Sequence, residues 1–132
     1  MIEYEPKILI AFAETLGGND EIFNWLLKNG YPELAALSSS LRGSESAFEW
    51  LMKNGYPQLA ALDHAIDGRK GPAKWLLDNG YEVLFHLAGA CNNSPISIQW
   101  LQECDLQIFL LISAKFKAFR EGQVFDVHKR RF

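Results

Sequence analysis

Apolar and polar residues along this chain repeat with a period of 25 positions. The clearest columns hold Trp25, Trp50, Trp75 and Trp100, each followed directly by Leu26, Leu51, Leu76 and Leu101. The nine residues NGYPELAAL at 29–37 return as NGYPQLAAL at 54–62. A fixed period of this length is the signature of a repeat architecture built from one supersecondary unit.

Each period predicts two short helices joined by a tight turn. In the second unit, the segments 45–54 and 57–67 both carry apolar residues at helical spacing. Gly55 is expected to end the first of them in the left-handed conformation, and Pro57 to occupy the first position of the second. The residues expected to end the inner helices in the same way are Gly43, Gly68 and Asn93.

We therefore expect an all-α fold, a right-handed α/α solenoid of about four 25-residue helical hairpins plus an N-terminal half-repeat. The single domain 1–132 divides into a capping half-repeat at 6–18, four repeats at 19–118 and a C-terminal tail at 119–132. Hairpins should stack because a helix of ten residues is marginal alone. Each end unit should then have a neighbour on one side only, and Asp105 should cap the helix that follows it.

The run LDHAIDGRKGPAKWLLDNGY at 62–81 resembles the helical half of an ankyrin repeat. The likeness lies in Ala65 three residues before Gly68, the Leu-Leu-x-Asn-Gly ending at 76–80, and the twelve-residue step between glycines. The Thr-Pro-Leu-His signature is missing, and a 25-residue period leaves no room for the β-hairpin of that family. Short α-helical repeats of the leucine-rich-variant type are similar in period. Either resemblance implies a scaffold that binds partners and supplies no catalytic residue.

Composition and charge place the chain among ordinary globular proteins. It is 48% apolar and 22% charged, which is typical of an ordered domain. No apolar run approaches the roughly 18 residues that a membrane span needs, and residues 1–7 lack the apolar region of a signal peptide. Because two cysteines form no disulfide framework, we expect a cytoplasmic protein. Seven basic and fourteen acidic residues precede position 115 (−7), whereas six basic and two acidic residues follow from there (+4).

The sequence contains no motif that indicates catalysis, a cofactor or a metal. The tryptophan column is expected to pack in the core or between repeats, because an aromatic ring in a regular phase beside leucine is typical of packing. Asp63, His64 and Asp67 lie within one helical turn, but no second cluster of ligands accompanies them, so we interpret them as a solvated face. A disulfide between Cys91 and Cys104 is not expected, because about 13 Å of helix separates them.

The last inner helix is apolar nearly all round, so it must be covered on every side. Val124, Phe125 and Val127 of the tail can supply that cover by folding back, or a second chain can supply it, which would make a homodimer through this helix. The inner helices are expected to face the concave side of the solenoid.

These features predict a non-enzymatic helical-repeat scaffold that mediates protein–protein interaction with an unidentified protein partner. The residues expected to bind this partner vary between units or break the repeat pattern: Ser39, Arg42, His64, Asp67, Phe85, His86, Leu110 and Leu111. One alternative is a small enzyme with a site assembled across repeats. The other is a nucleic-acid accessory protein that uses the basic tail with Lys129, Arg130 and Arg131, which the sequence pI of 5.6 disfavours.

Overall fold

The computed structural model describes residues 3–129, with side chains for residues 3–122, and this part of the chain contains helices and no strand. The all-α class predicted from the sequence is therefore confirmed. The helices in the described part are α1 (Pro6–Thr15), α2 (Asp20–Lys28), α3 (Pro32–Leu41), α4 (Glu45–Lys53), α5 (Pro57–Ile66), α6 (Lys70–Asp78), α7 (Glu82–Cys91), α8 (Pro95–Glu103) and α9 (Gln107–Lys129).

Local signals in each unit set the ends of these helices. The side chains of Asn19, Ser44 and Ser94 accept backbone N–H groups at the starts of α2, α4 and α8. Pro57 occupies the first position of α5, as predicted. The C-terminal ends of α2, α4 and α6 share one side-chain hydrogen bond. The side-chain amide nitrogens of Asn29, Asn54 and Asn79 donate to the backbone carbonyls of Trp25, Trp50 and Trp75 at 2.7, 2.8 and 2.8 Å.

Left-handed residues separate the helices at the positions that the sequence predicts. Gly43, Gly55, Gly68 and Asn93 have φ angles of +105°, +87°, +86° and +60°. The prediction for Asp105 is wrong. It has φ +57° and takes the left-handed place of the repeat's glycine, so it ends the turn after α8 instead of capping α9, and Leu106 directly precedes that helix.

Gly55→Ala tests whether this backbone conformation carries stability. No atom lies within 4 Å of an added Cβ, so the cost comes from the left-handed backbone alone. We expect about 1 kcal/mol or more of destabilisation in urea unfolding. Gly55→Asn is the matched control and should cost less, because asparagine tolerates this conformation. Unchanged stability in the alanine variant would contradict the assignment.

The helices form an inner and an outer layer. The inner helices α1, α3, α5, α7 and α9 make a closed circuit of contacts, in which each contacts the next and α9 returns to α1; α2, α4, α6 and α8 lie outside. A salt bridge of 3.4 Å between Lys115 Nζ and Glu14 Oε1 joins the two ends. The prediction that each end unit has a neighbour on one side only is therefore wrong.

The core lies on and between the inner helices, and each outer helix contributes one leucine to it. Those leucines, Leu26, Leu51, Leu76 and Leu101, are fully inaccessible to solvent. The tryptophan column, predicted to pack in the core or between repeats, does not lie among the buried core residues. Trp25 and Trp75 are 43% and 37% exposed, and Trp50 and Trp100 are half-buried. The first three tryptophans stack instead on the tyrosine six residues later, with ring centroids 5.8–6.3 Å apart.

Helix α9 is covered by a part of the chain that the sequence did not suggest. It contacts α1, α7 and α8, and Phe109, Ile112 and Phe116 are buried. The helix continues through Gly122 to Lys129, so Val124, Phe125 and Val127 belong to this helix and do not fold back over it. Their side chains lie outside the described residues. Since α1 supplies the cover, Leu111, at 38% exposure, is the one large apolar side chain that is exposed among the described side chains of α9.

Candidate functional site

Gaps between consecutive outer helices form grooves on the surface of the molecule. Among the described residues, no outer helix brings a Cα atom within 8 Å of the next outer helix. The alanine pairs of the inner helices α3 and α5 lie at the bottom of two of these gaps. Groove 1 lies between α2 and α4, over α3; Ala35 and Ala36 form its floor, and its walls are Phe23, Leu27 and Trp50.

Groove 2 is the same structure one repeat later, between α4 and α6. Each residue of its floor and walls is the groove 1 residue plus 25: Ala60, Ala61, Phe48, Met52 and Trp75. The cavity measures about 510 Å³, which is enough for a large side chain of a partner. The wall residues Leu27 and Met52 are 46% and 53% exposed, so both grooves present apolar surface to solvent.

The third gap, between α6 and α8, is filled by the protein itself. Phe85 and His86 replace the two alanines, while Ala73 replaces the wall phenylalanine. The His86 ring stacks on Trp100 with centroids 4.2 Å apart. The repeat therefore offers two open grooves and a third gap occupied by its own side chains.

His86 and Ser97 in this gap are residue types that serve as base and nucleophile in catalytic sites. His86 Nδ1 lies 3.0 Å from Ser97 Oγ, a distance suited to a base and a nucleophile. Ser97 is buried, however, and His86 is half-buried between Trp100 and Phe85. Burial lowers the pKa of His86. The pair fills space in the gap and satisfies its own hydrogen bond, and the serine is almost wholly enclosed by the protein.

An acidic pocket opens beside groove 2 and shares Phe48 and His64 with it. Its charged lining consists of four carboxylates, Glu45, Glu49, Asp63 and Asp67. The Phe48 and His64 rings stack with centroids 4.3 Å apart and form the boundary between the apolar and the acidic side. The first unit lacks three of these carboxylates, because Asn24, Ser38 and Arg42 stand where the second has Glu49, Asp63 and Asp67.

Asp63 is the carboxylate of this pocket whose titration the fold changes most clearly. Burial raises the pKa of Asp63, and the negative charge of Asp67 raises it further. The hydrogen bond from Ser40 and the nearby His64 and Arg69 act in the opposite direction and lower it. A carboxyl whose pKa is raised on folding contributes stability at low pH that is lost as the pH rises through its folded pKa. The ionised form of Asp63 therefore weakens the fold at neutral pH.

We expect Asp63→Asn to raise the free energy of unfolding at pH 7, since the amide oxygen can still accept from Ser40 Oγ. The gain should shrink as the pH falls toward the ordinary carboxyl range, because wild-type Asp63 is then protonated. Urea unfolding at several pH values measures this. Glu103→Gln, at the exposed end of α8, controls for the loss of one negative charge; an equal pH-dependent gain in that variant would refute the assignment to Asp63.

The structure separates the residues that the sequence proposed for partner binding into four places. Ser39 and His64 line the grooves, and Asp67 lines the acidic pocket. Phe85 and His86 fill the third gap. The Arg42 guanidinium lies 5.8 Å from the centre of the Phe119 ring, and the last two, Leu110 and Leu111, belong to α9.

Sequence reasoning missed the groove walls Phe23, Leu27 and Met52. A signal was present, because the nine residues of α2 carry apolar side chains on more than one face, including Phe23, Trp25 and Leu27. A short outer helix can bury only one such face, so the others must remain at the surface.

The described part of the chain contains neither a candidate metal site nor a candidate membrane-spanning helix. No group of three His, Cys, Asp or Glu side chains converges there as a metal site would, and no helix has the length and apolar character to cross a membrane. Both cysteines are free, with Cys91 buried and Cys104 exposed. Arg130 and Arg131 of the basic tail, and the side chain of Lys129, lie outside the described residues.

Comparison with protein-family models, curated proteins and solved structures gives no match to this chain.

Proposed function

We propose that the protein is a non-enzymatic helical-repeat module that binds a segment of another protein chain in grooves 1 and 2. The observation that carries the proposal is the pair of open apolar grooves at positions related by the repeat. Their walls combine an exposed aliphatic side chain, Leu27 or Met52, with a tryptophan. Exposed apolar surface of this kind is characteristic of interaction sites, and tryptophan is enriched among the residues that dominate binding energy.

The spacing of the grooves supports a single bound segment. Both open on the outer surface, and α4 separates them, giving Trp50 to groove 1 and Phe48 and Met52 to groove 2. A segment that crosses α4 can place one apolar side chain in each groove. Two linked contacts strengthen each other, because the second forms within an already bound complex.

The finer architecture belongs to the same proposal. We infer that the four hairpins form a short solenoid whose ends meet, supported by the contacts between successive inner helices and by the return of α9 to α1. Its right-handed sense, and the likeness to the helical half of ankyrin repeats, stay predictions from the sequence. Direct turns at Gly30, Gly55 and Gly80 join the helices on either side, so no β-hairpin of the ankyrin kind lies between them.

A photo-crosslinking amino acid at position 52 tests the binding surface. We expect the crosslinker at position 52, in groove 2, to form covalent adducts with the bound protein segment. A control crosslinker at Glu103, on the exposed end of α8, should form few or none. Ala61→His should reduce the adducts at least tenfold, because it puts an imidazole beside Trp75 as His86 stands beside Trp100. Equal adducts at both positions, or adducts that Ala61→His leaves unchanged while unfolding curves show an intact fold, would refute the proposal.

A further inference from the structure

The combination of groove 2 with the acidic pocket selects for a particular kind of segment. Apolar walls lie on one side of the Phe48–His64 stack, and four carboxylates on the other. The carboxylates of Glu49 and Asp67 are on exposed residues, so they are accessible to a ligand. An arginine suits this boundary, because its guanidinium stacks on aromatic rings and pairs with carboxylates in a fork geometry. The site therefore favours basic residues next to an apolar one.

The chain carries such a sequence itself, HKRRF at 128–132. The described basic side chains of α9 are engaged within the molecule. Lys115 pairs with Glu14, Lys117 donates to Asn93 Oδ1 at 3.0 Å, and Arg120 donates to the carbonyl of Cys91 at 3.2 Å. The remaining cations from position 115 onward, at 129–131, directly precede Phe132 in the sequence, and together they match both sides of the site in chemistry.

Helix α9 leads the chain away from the site on the same copy. The Arg120 side chain donates to the carbonyl of Cys91, the last residue of α7, so α9 has reached the end of the inner layer by this residue. The helix runs nine residues further, to Lys129, which adds about 13 Å at 1.5 Å per residue. The described end of α9 therefore lies beyond the inner layer, whereas Asp67 directly follows α5 within that layer.

We propose that the basic segment 128–132 of one copy binds the acidic pocket and groove 2 of a second copy, with its arginines against Glu49 and Asp67 and Phe132 beside Met52. This inference rests on the proposed function and names its partner as a second copy of this chain. The exchange is reciprocal in a symmetric dimer, since each copy offers one segment and one site. The opposite charges of the acidic body and of the part from 115 onward favour the encounter.

Charge reversal on each side of the contact tests this proposal on the full chain. Glu49→Lys with Asp67→Lys makes a site variant, and Arg130→Glu with Arg131→Glu makes a segment variant. We expect the wild-type protein to dimerise in sedimentation equilibrium, and each variant alone to dimerise at least tenfold more weakly. An equimolar mixture of the two variants should recover dimers, because each segment then meets a site of opposite charge. Glu82→Lys with Glu103→Lys, at exposed positions away from the site, controls for net charge and should leave dimerisation unchanged.

Several outcomes would overturn the proposal. They are a wild-type monomer at millimolar concentration, a dimer that neither reversal weakens, or a mixture of variants that does not recover it. Circular dichroism of each variant excludes unfolding as the cause. The crosslinking experiment separates this failure from failure of the proposed function: adducts from position 52 at twice the mass of the chain indicate self-association. Groove-specific adducts with a different protein, together with a wild-type monomer, would refute only the self-association.

Discussion

Leu51→Ala is expected to lower the free energy of unfolding by about 2–5 kcal/mol, whereas Trp50→Ala, at the neighbouring position, should lower it by about 1–2 kcal/mol. Leu51 is fully inaccessible to solvent, so its removal leaves a cavity among inner and outer helices. Trp50 is half-buried, stacks on Tyr56 at 6.0 Å and forms a wall of groove 1. Much of its surface is therefore already open to water, and its truncation opens no enclosed cavity.

Urea unfolding monitored by far-UV circular dichroism measures both changes without relying on tryptophan fluorescence. The same comparison one repeat later, Leu76→Ala against Trp75→Ala, serves as an internal control, because Leu76 is inaccessible and Trp75 is 37% exposed. A domain of this size has about 5–15 kcal/mol of stability in total, so the leucine variants should unfold at clearly lower denaturant concentrations. Equal losses for leucine and tryptophan would show that the aromatic column carries the core after all.

Gly89→Ala is expected to destabilise the protein by about 1–3 kcal/mol, the usual cost of overpacking. Gly89 lies in α7, where α7 and α8 approach closely. An added Cβ would lie 2.7 Å from Ser97 Cβ and in direct collision with Ser97 Oγ. The Ser97 Cβ is attached directly to the backbone of α8, so relief requires the helices to separate. That movement would also disturb the hydrogen bond between Ser97 and His86.

Gly122→Ala is the matched control, because Gly122 also lies inside a helix, α9, but no atom stands within 4 Å of an added Cβ. There, alanine should stabilise by about 0.5–1 kcal/mol through its higher helix propensity. Opposite signs for the two glycines in thermal or urea unfolding would confirm that packing decides at Gly89. A stabilising Gly89→Ala would show instead that α8 can move away at little cost.

Much of the local structure could be predicted from the sequence. The 25-residue period, the helix starts at Glu45 and Pro57 and the left-handed residues Gly55 and Asn93 all depend on interactions within a few positions along the chain. Such interactions are the same wherever the hairpin lies, so they can be predicted without knowledge of the fold. Asp105 is the exception. Aspartate can cap a helix or adopt the left-handed conformation, and because Asp105 stands at the position of the repeat's glycine, it adopts the left-handed conformation.

The tertiary structure alone decided which columns are buried and where a ligand can bind. Trp25 and Leu26 keep the 25-residue period equally well. The period does not distinguish them, because a core residue and an aromatic ring stacked on the next tyrosine must both recur at the same position of each repeat. The contact of α9 with α1 depends on how all the hairpins are placed relative to one another, which no single period contains. Closure provides the cover for α9 that the sequence assigned to the tail or to a second chain. The gaps between outer helices, and with them grooves 1 and 2 and the acidic pocket, exist because the outer layer stands farther from the centre and its helices are too widely spaced to touch.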